Sequence, residues 1–498
     1  MRFAFPRTLF CICILLNLLN NVAIGQSIPQ YDIVLTGGRV MDPETKLDAI
    51  RNIGILNNRI AAISSEPLQG KEIINVSGLV VAPGFIDMHV HGRSNVEQEY
   101  QLHDGLTTAL ELEWGIEFLD KWYETRKSKA LINYGASVCW PFERFRSMTR
   151  FQTGVNELYQ KMLRGESSLE SLGNILTPSY TDTITVEEMN KTLSNIKNSL
   201  EQGGVGIGLP IGYLPKTKPE EFYRIFQLAG EMNVLVFSHV RAPDIISIQE
   251  AMVNAMLTKA PLHIVHINSM ALGHIQMALD LIQSAKSKGF DISTELYPYT
   301  AASTMLQSAI FSDGWQERLG IQYNDLQWVA TGERLTKESF TSYRKEGGTT
   351  IIHMMKPDWI NMGIRSPGVM IASDGMPYAP LAHPRTAGTF SRVLGKYVRD
   401  DKVVDLMTAL AKMTLLPAQR LETVAPMMRS KGRIQIGADA DITVFNPATI
   451  TDKASFEKGL AFSQGVEYVI VNGTIVLKNG KTVASVFPGQ AIYGRFKK

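Results

Sequence analysis

Two histidines one residue apart, His89 and His91, close the stretch Leu79-Val-Val-Ala-Pro-Gly-Phe-Ile-Asp-Met-His-Val-His-Gly. An apolar run ends at a Pro-Gly turn, and a short β-type segment then delivers both imidazoles. Side chains alternate across a strand, so residues two apart share a face. His89 and His91 therefore point the same way, with Asp87 behind them. Two imidazoles converging at a strand end make half a site for a divalent transition metal. The competing reading is a pair of solvent-facing histidines on an edge strand. Further along, other ligand types stand where apolar runs finish. His239 closes Val234-Leu-Val-Phe-Ser, His266 closes Leu262-His-Ile-Val, and Asp374 ends Val369-Met-Ile-Ala-Ser. Each alone reads as readily as a structural residue. A second metal would need a bridging ligand, and Glu111 and Glu113 share one face of an otherwise apolar strand. Unpaired buried carboxylates are costly, and a metal would compensate them. Glu113, nearer the strand end, is the favoured bridge, with Glu111 and Cys139 as alternatives. The opposing reading pairs one glutamate with an arginine such as Arg241. His263 is expected on the face opposite His266, as packing. His103, His274 and His353 have no strand-end context and stay unassigned.

The elements that must position these residues follow from the hydrophobic pattern. Between about 83 and 415, buried strand runs alternate with amphipathic helical stretches. Strands are expected near 83–91, 106–113, 131–139, 204–209, 234–239, 262–267, 291–297 and 368–374. Eight is the number a closed (β/α)₈ TIM barrel needs, with chemistry at the C-terminal ends of its strands. The segment from about 305 to 365 is too long for a plain loop and is expected to cover the barrel mouth as a lid. Residues 31–80 show a period of two punctuated by Gly and Asn, and the C-terminus repeats that style, with Asn472-Gly473 as a hairpin turn. The expected fold is therefore α/β: a barrel over 83–415 with a small β-sandwich built from 26–82 and 416–498.

Composition sets the outer bounds. The chain has 498 residues, 45% hydrophobic and 20% charged, with a net charge of +2. A near-neutral balance argues against nucleic acid or a membrane surface as the main partner. Arg2 and Arg7 precede an apolar run, and Ala23-Ile24-Gly25 stands before Gln26. Residues 1–25 read as a secretory signal, too short to be a stable membrane anchor. Of three cysteines, Cys11 and Cys13 leave with that signal, so no disulfide holds the monomer together. An exported, periplasm-like location fits; the oligomeric state is left open.

Taken jointly, His89, His91, His239, His266 and Asp374 resemble the ligand pattern of the amidohydrolase superfamily on strands one, five, six and eight. Tyr297-Pro-Tyr-Thr-Ala-Ala-Ser303, Ser373-Asp-Gly and His383-Pro-Arg385-Thr-Ala-Gly-Thr-Phe resemble the N-acyl-D-amino-acid deacylase (D-aminoacylase) branch. That resemblance implies one or two divalent ions, zinc first. It implies Arg385, Tyr297 and Ser303 around a substrate α-carboxylate, and Tyr213 facing the reacting carbonyl. The opposing reading for Arg385 is an ion pair with a lid carboxylate such as Glu333. Strand four offers no lysine of the kind many amidohydrolases carboxylate. An ungapped match puts Trp114 where the branch has a bridging cysteine and Asn268 where it has a lysine. The implied reaction is metal-assisted hydrolysis of an N-acyl-D-amino acid, with Asp374 as general base. The alternatives are a cyclic-amide hydrolase of the hydantoinase or dihydroorotase type and a non-catalytic metal-binding barrel.

Overall fold

The structure, a computed structural model, describes Met1, residues 30–164 and residues 169–498. The expected signal segment lies outside the described residues apart from Met1.

Eight short parallel strands form one sheet in chain order: Phe85–Asp87, Leu106–Ile116, Asn133–Cys139, Ile207–Pro210, Val236–His239, Leu262–Ile264, Ile292–Leu296 and Met370–Ile371. A parallel bridge between Val90 and Gly375 joins the last strand's exit to the first, with His91 N donating to the Gly375 carbonyl at 2.7 Å. The sheet thereby closes into a barrel. The strands are buried on both faces, so they read as apolar runs rather than alternating ones. Helices such as Val186–Glu201, Pro219–Met232 and Ile275–Ser287 cover the outside. Each of these three buries an apolar stripe at helical spacing, for example Phe222, Ile225, Phe226 and Ala229 on the second.

The ladders are shorter than the apolar runs suggest. The first strand ends at Asp87 and the eighth is only Met370–Ile371. His89 and His91 lie beyond ladder pairing, where His89 bridges Glu111 singly.

Both chain ends build a separate nine-stranded sheet. The long strand Gln30–Asp42 pairs with Leu47–Leu56 on one side. On the other it pairs first with Gln69–Asn75 and, past a register shift near Leu35 and Gly38, with Val80–Pro83. Ile442–Phe445 from the C-terminal part pairs with Val80–Pro83. One hydrogen-bonded network, the expected small β domain of both chain ends, thus encloses a core shared by Ile33, Ile53, Ile60, Ile442 and Ile470. Asn472 and Gly473 turn its hairpin with φ of 47° and 76°, the type I′ geometry that matches strand twist.

Between the seventh and eighth barrel strands the chain makes a three-stranded antiparallel sheet, Ala301–Met305, Leu326–Trp328 and Thr349–His353, with the last in the middle. It has its own core of Leu306, Phe311, Trp315, Trp328 and Phe340. Helix Pro357–Arg365 returns to the barrel wall against Ile275–Ser287, so the covering segment ends near His353 rather than 365.

Candidate metal centre

Six side chains meet above the C-terminal ends of the barrel strands. Glu113 is at their middle. Its Oε2 is 3.0 Å from His89 Nε2 and 3.0 Å from His91 Nε2. Its Oε1 is 2.8 Å from His239 Nδ1 and 3.5 Å from His266 Nε2. Asp374 Oδ1 completes the first side, 3.5 Å from His89 Nε2 and 3.3 Å from His91 Nε2. The ligand atoms fall into two groups, His89–His91–Glu113–Asp374 and Glu113–His239–His266, each within 4.8 Å. Glu113 belongs to both. Two of these residues hold left-handed backbone, His266 at φ 32° and Asp374 at φ 52°. Such strain clusters where a side chain must be aimed.

The electrostatics call for a cation. Burial works against protonation of His89, yet Asp374, Glu295 and Glu113 outweigh it and lift its pKa well above the usual imidazole range. Burial also opposes the His91 proton, and Glu111, Asp374 and Glu113 likewise prevail. Burial raises Glu113, but His89, His239 and His266 hold it well below the usual carboxylate range. A divalent ion would supply the positive charge those protons supply here, and nitrogen and carboxylate donors suit zinc. The residues fit the metal.

Behind the ligands stand further carboxylates. Glu111 Oε2 lies 3.2 Å from His91 Nδ1, and Arg93 Nε approaches the same oxygen at 3.7 Å. Glu295 Oε1 lies 3.0 Å from His89 Nδ1. Arg241 pairs with Glu250 at 2.8 Å, not with either glutamate of strand two. Cys139 faces Glu117, with Sγ 3.5 Å from Oε1, and belongs to neither ligand group.

The residues expected around a carboxylate come together with a different division of labour. Arg385 is 1% exposed and its Nη2 pairs with Asp374 Oδ2 at 2.9 Å, not with Glu333. Nε and Nη1 make no hydrogen bond among the described residues. The guanidinium lies over the Tyr297 ring, 4.5 Å from its centroid. Ser303 meets Arg385 through its carbonyl, at 3.4 Å from Nη2, because its hydroxyl donates to the Thr350 carbonyl within the lid sheet. His383 accepts the Arg385 amide on Nδ1 and so donates from Nε2 to the Ala301 carbonyl, pinning this loop to the lid. Tyr213 bonds Thr304 across the mouth at 3.0 Å and packs on His239 at 4.9 Å.

Over this floor lies a cavity of about 560 Å³ whose lining includes His91, Glu113, His239, His266 and Asp374 below, and Trp114, Tyr180, Met270, Met305 and Ile352 as walls. A reacting amide can sit on the polar floor with an apolar group above it.

These features have counterparts in known proteins. The model of the amidohydrolase family matches residues 358–477. A D-aminoacylase of Alcaligenes xylosoxydans xylosoxydans is 29% identical over 468 residues, 90% of this chain and 94% of that protein. An N-acyl-D-glutamate deacylase from the same organism is 28% identical, across 90% of this chain and 94% of its own length. In fold, the chain is similar to the N-acyl-D-glutamate deacylase of Bordetella bronchiseptica, solved with zinc and a phosphonate inhibitor. That match has a TM-score of 0.77 at 23% identity, over 93% of this chain and 100% of that one. The chain is similar to D-aminoacylases over nearly its whole length.

Beside those relatives, its departures acquire a physical sense. Trp114 sits on the cavity wall, 5.5 Å from the Tyr213 ring, while its neighbour Glu113 stands between the two ligand groups. Asn268 is buried and donates to the Tyr297 carbonyl at 3.1 Å, a neutral tie where a lysine would bring charge. Strand four, Ile207–Pro210, carries no lysine. Sequence reasoning missed Glu295, though the signal was available: a carboxylate inside the buried run Ile292–Leu296, like Glu111 and Glu113 in theirs. His263, expected as packing, does pack edge-on to Phe237 at 5.8 Å, but its Nε2 also reaches Glu295 Oε2 at 3.1 Å. Two unassigned histidines are structural. His103 stacks on Phe462 at 3.8 Å, and His353 bonds Gln327 inside the lid at 3.0 Å.

Proposed function

We propose that this chain hydrolyses the amide bond of N-acyl-D-amino acids with the help of one or two zinc ions. The observation that carries the reading is Glu113, one oxygen toward His89 and His91 and the other toward His239 and His266, on the floor of a largely apolar cavity. When bound, a divalent ion polarises the scissile carbonyl and makes a water acidic enough to attack at neutral pH.

The chain's own residues supply the rest. Asp374 accepts the water's proton on its carboxylate and delivers it to the leaving amine nitrogen. Burial would raise its pKa, but Arg385 and His89 hold it below the usual carboxylate range, so it is ionised and ready. Arg385 keeps Asp374 in place through Nη2 and offers Nε and Nη1 to the substrate's α-carboxylate, with Tyr297 fixing the guanidinium plane. Tyr213 presents its phenol beside the strand-five ligand, where the reacting carbonyl lies. The lid excludes bulk water.

The decisive assay offers the zinc-loaded protein a panel of N-acetyl-D- and N-acetyl-L-amino acids, with a hydantoin and dihydroorotate as cyclic controls. Hydrolysis confined to the D-series supports the reading; turnover of the cyclic amides alone would replace it with the ring-opening alternative. The basic, apolar N-terminus further supports export to a periplasm-like compartment. The mass of the exported protein should correspond to a chain beginning at Gln26; a mass that includes residues 1–25 would contradict this.

A further inference from the structure

The geometry points to Glu295 as a positioning residue that ties the two halves of the metal centre together, an inference resting on the metal reading above. Glu295 is buried in the seventh strand, Ile292–Leu296. One oxygen, Oε1, does two things: it faces His89 Nδ1 at 3.0 Å and accepts the backbone amide of His266. The other, Oε2, is 3.1 Å from His263 Nε2, and His263 Nδ1 is anchored on Ser293 Oγ at 2.7 Å.

Each contact has a consequence for a ligand. A carboxylate on Nδ1 holds a proton there, which leaves Nε2, the nitrogen turned toward Glu113 and Asp374, as the one a metal would take. His266 holds a left-handed backbone at φ 32°, which costs free energy unless neighbouring bonds hold it. Glu295 caps that amide, and the turn then carries His266 Nε2 to Glu113 Oε1. One carboxylate thus stands behind a ligand of each group. Glu111 makes a contrast, because among the described residues its carboxylate faces one ligand side chain, His91, at 3.2 Å.

The difference between the two glutamates gives the test. Zinc affinities of the chelator-treated full chain are measured by competition with a chromophoric chelator, for the wild type, Glu295→Gln and Glu111→Gln. Circular dichroism of the metal-free proteins checks the fold. Glu295→Gln should weaken every zinc-binding event seen in the wild type by about 10- to 100-fold, whereas Glu111→Gln should weaken only one. Unchanged affinities in Glu295→Gln, or a loss confined to one of two wild-type events, would overturn the proposal. Should Glu295→Gln fail to fold, His263→Gln loosens only the far oxygen; it should weaken the same events in the same direction, and unchanged affinities there overturn the proposal equally. A folded wild type that binds no zinc would instead remove the metal reading itself.

Discussion

Asp374 touches both chemistry and orientation: Oδ1 faces two imidazoles and Oδ2 is held by Arg385 at 2.9 Å. Asp374→Asn keeps the shape but cannot take a proton, so kcat should fall by about 10²- to 10⁴-fold, the range for general acid–base catalysis. Near-wild-type kcat would place the base elsewhere. Arg385→Lys loses the planar fork and its stacking on Tyr297. The ratio of kcat/KM for N-acyl-D-amino acids over their α-amides should drop by roughly 10- to 150-fold, the worth of a charge-assisted hydrogen bond. The ratio is the measure because loosening Asp374 slows both substrates alike; an unchanged ratio would remove the carboxylate role. The strand-one histidines set a pH dependence. Their pKa values lie well above the ordinary 6.5, so the metal-free protein still holds these protons at neutral pH. Zinc must displace them, and its affinity should rise as pH increases through and beyond neutrality. Calorimetry in buffers of different ionisation enthalpy should register proton release at pH 7; its absence would contradict the shifts.

At the scale of elements, the barrel was legible because parallel strands buried on both faces must be apolar throughout, and all eight runs could be found that way. Their ends were not legible. Regular ladder pairing stops at Asp87 and Ile371, short of the apolar pattern, and only isolated bridges such as Val90 to Gly375 continue beyond it. The left-handed positions at His266 and Asp374 leave no trace in periodicity. The tie between Glu295 and His89 joins residues 206 apart in sequence, which no local pattern can reveal. Strand two carries one such hidden constraint. Gly115 has φ 80°, and a Cβ there would lie 2.6 Å from the Cys139 amide on strand three. Gly115→Ala should therefore lower stability by about 1–3 kcal/mol and disturb Glu113, two residues before it. Chemical denaturation checks the first effect and zinc content the second. Wild-type stability would show that the strand can shift to admit the methyl.

Across the whole molecule, the candidate ligands come from five strands of one closed sheet, beneath a cavity that the three-stranded sheet also lines. Residues drawn from such distant segments assemble only in the folded chain, so zinc binds the native state and stabilises it. At free zinc a hundred times its Kd, the gain should be about 2.7 kcal/mol, read as a higher Tm than that of the chelated protein. An equal Tm with and without zinc would argue against a preformed site. The most direct test of the central claim is a zinc titration of the chelator-treated protein while hydrolysis of an N-acetyl-D-amino acid is followed. Activity should be absent before zinc, appear within the first one or two equivalents, and be lost again on chelation. Full activity in protein proven metal-free would contradict the account.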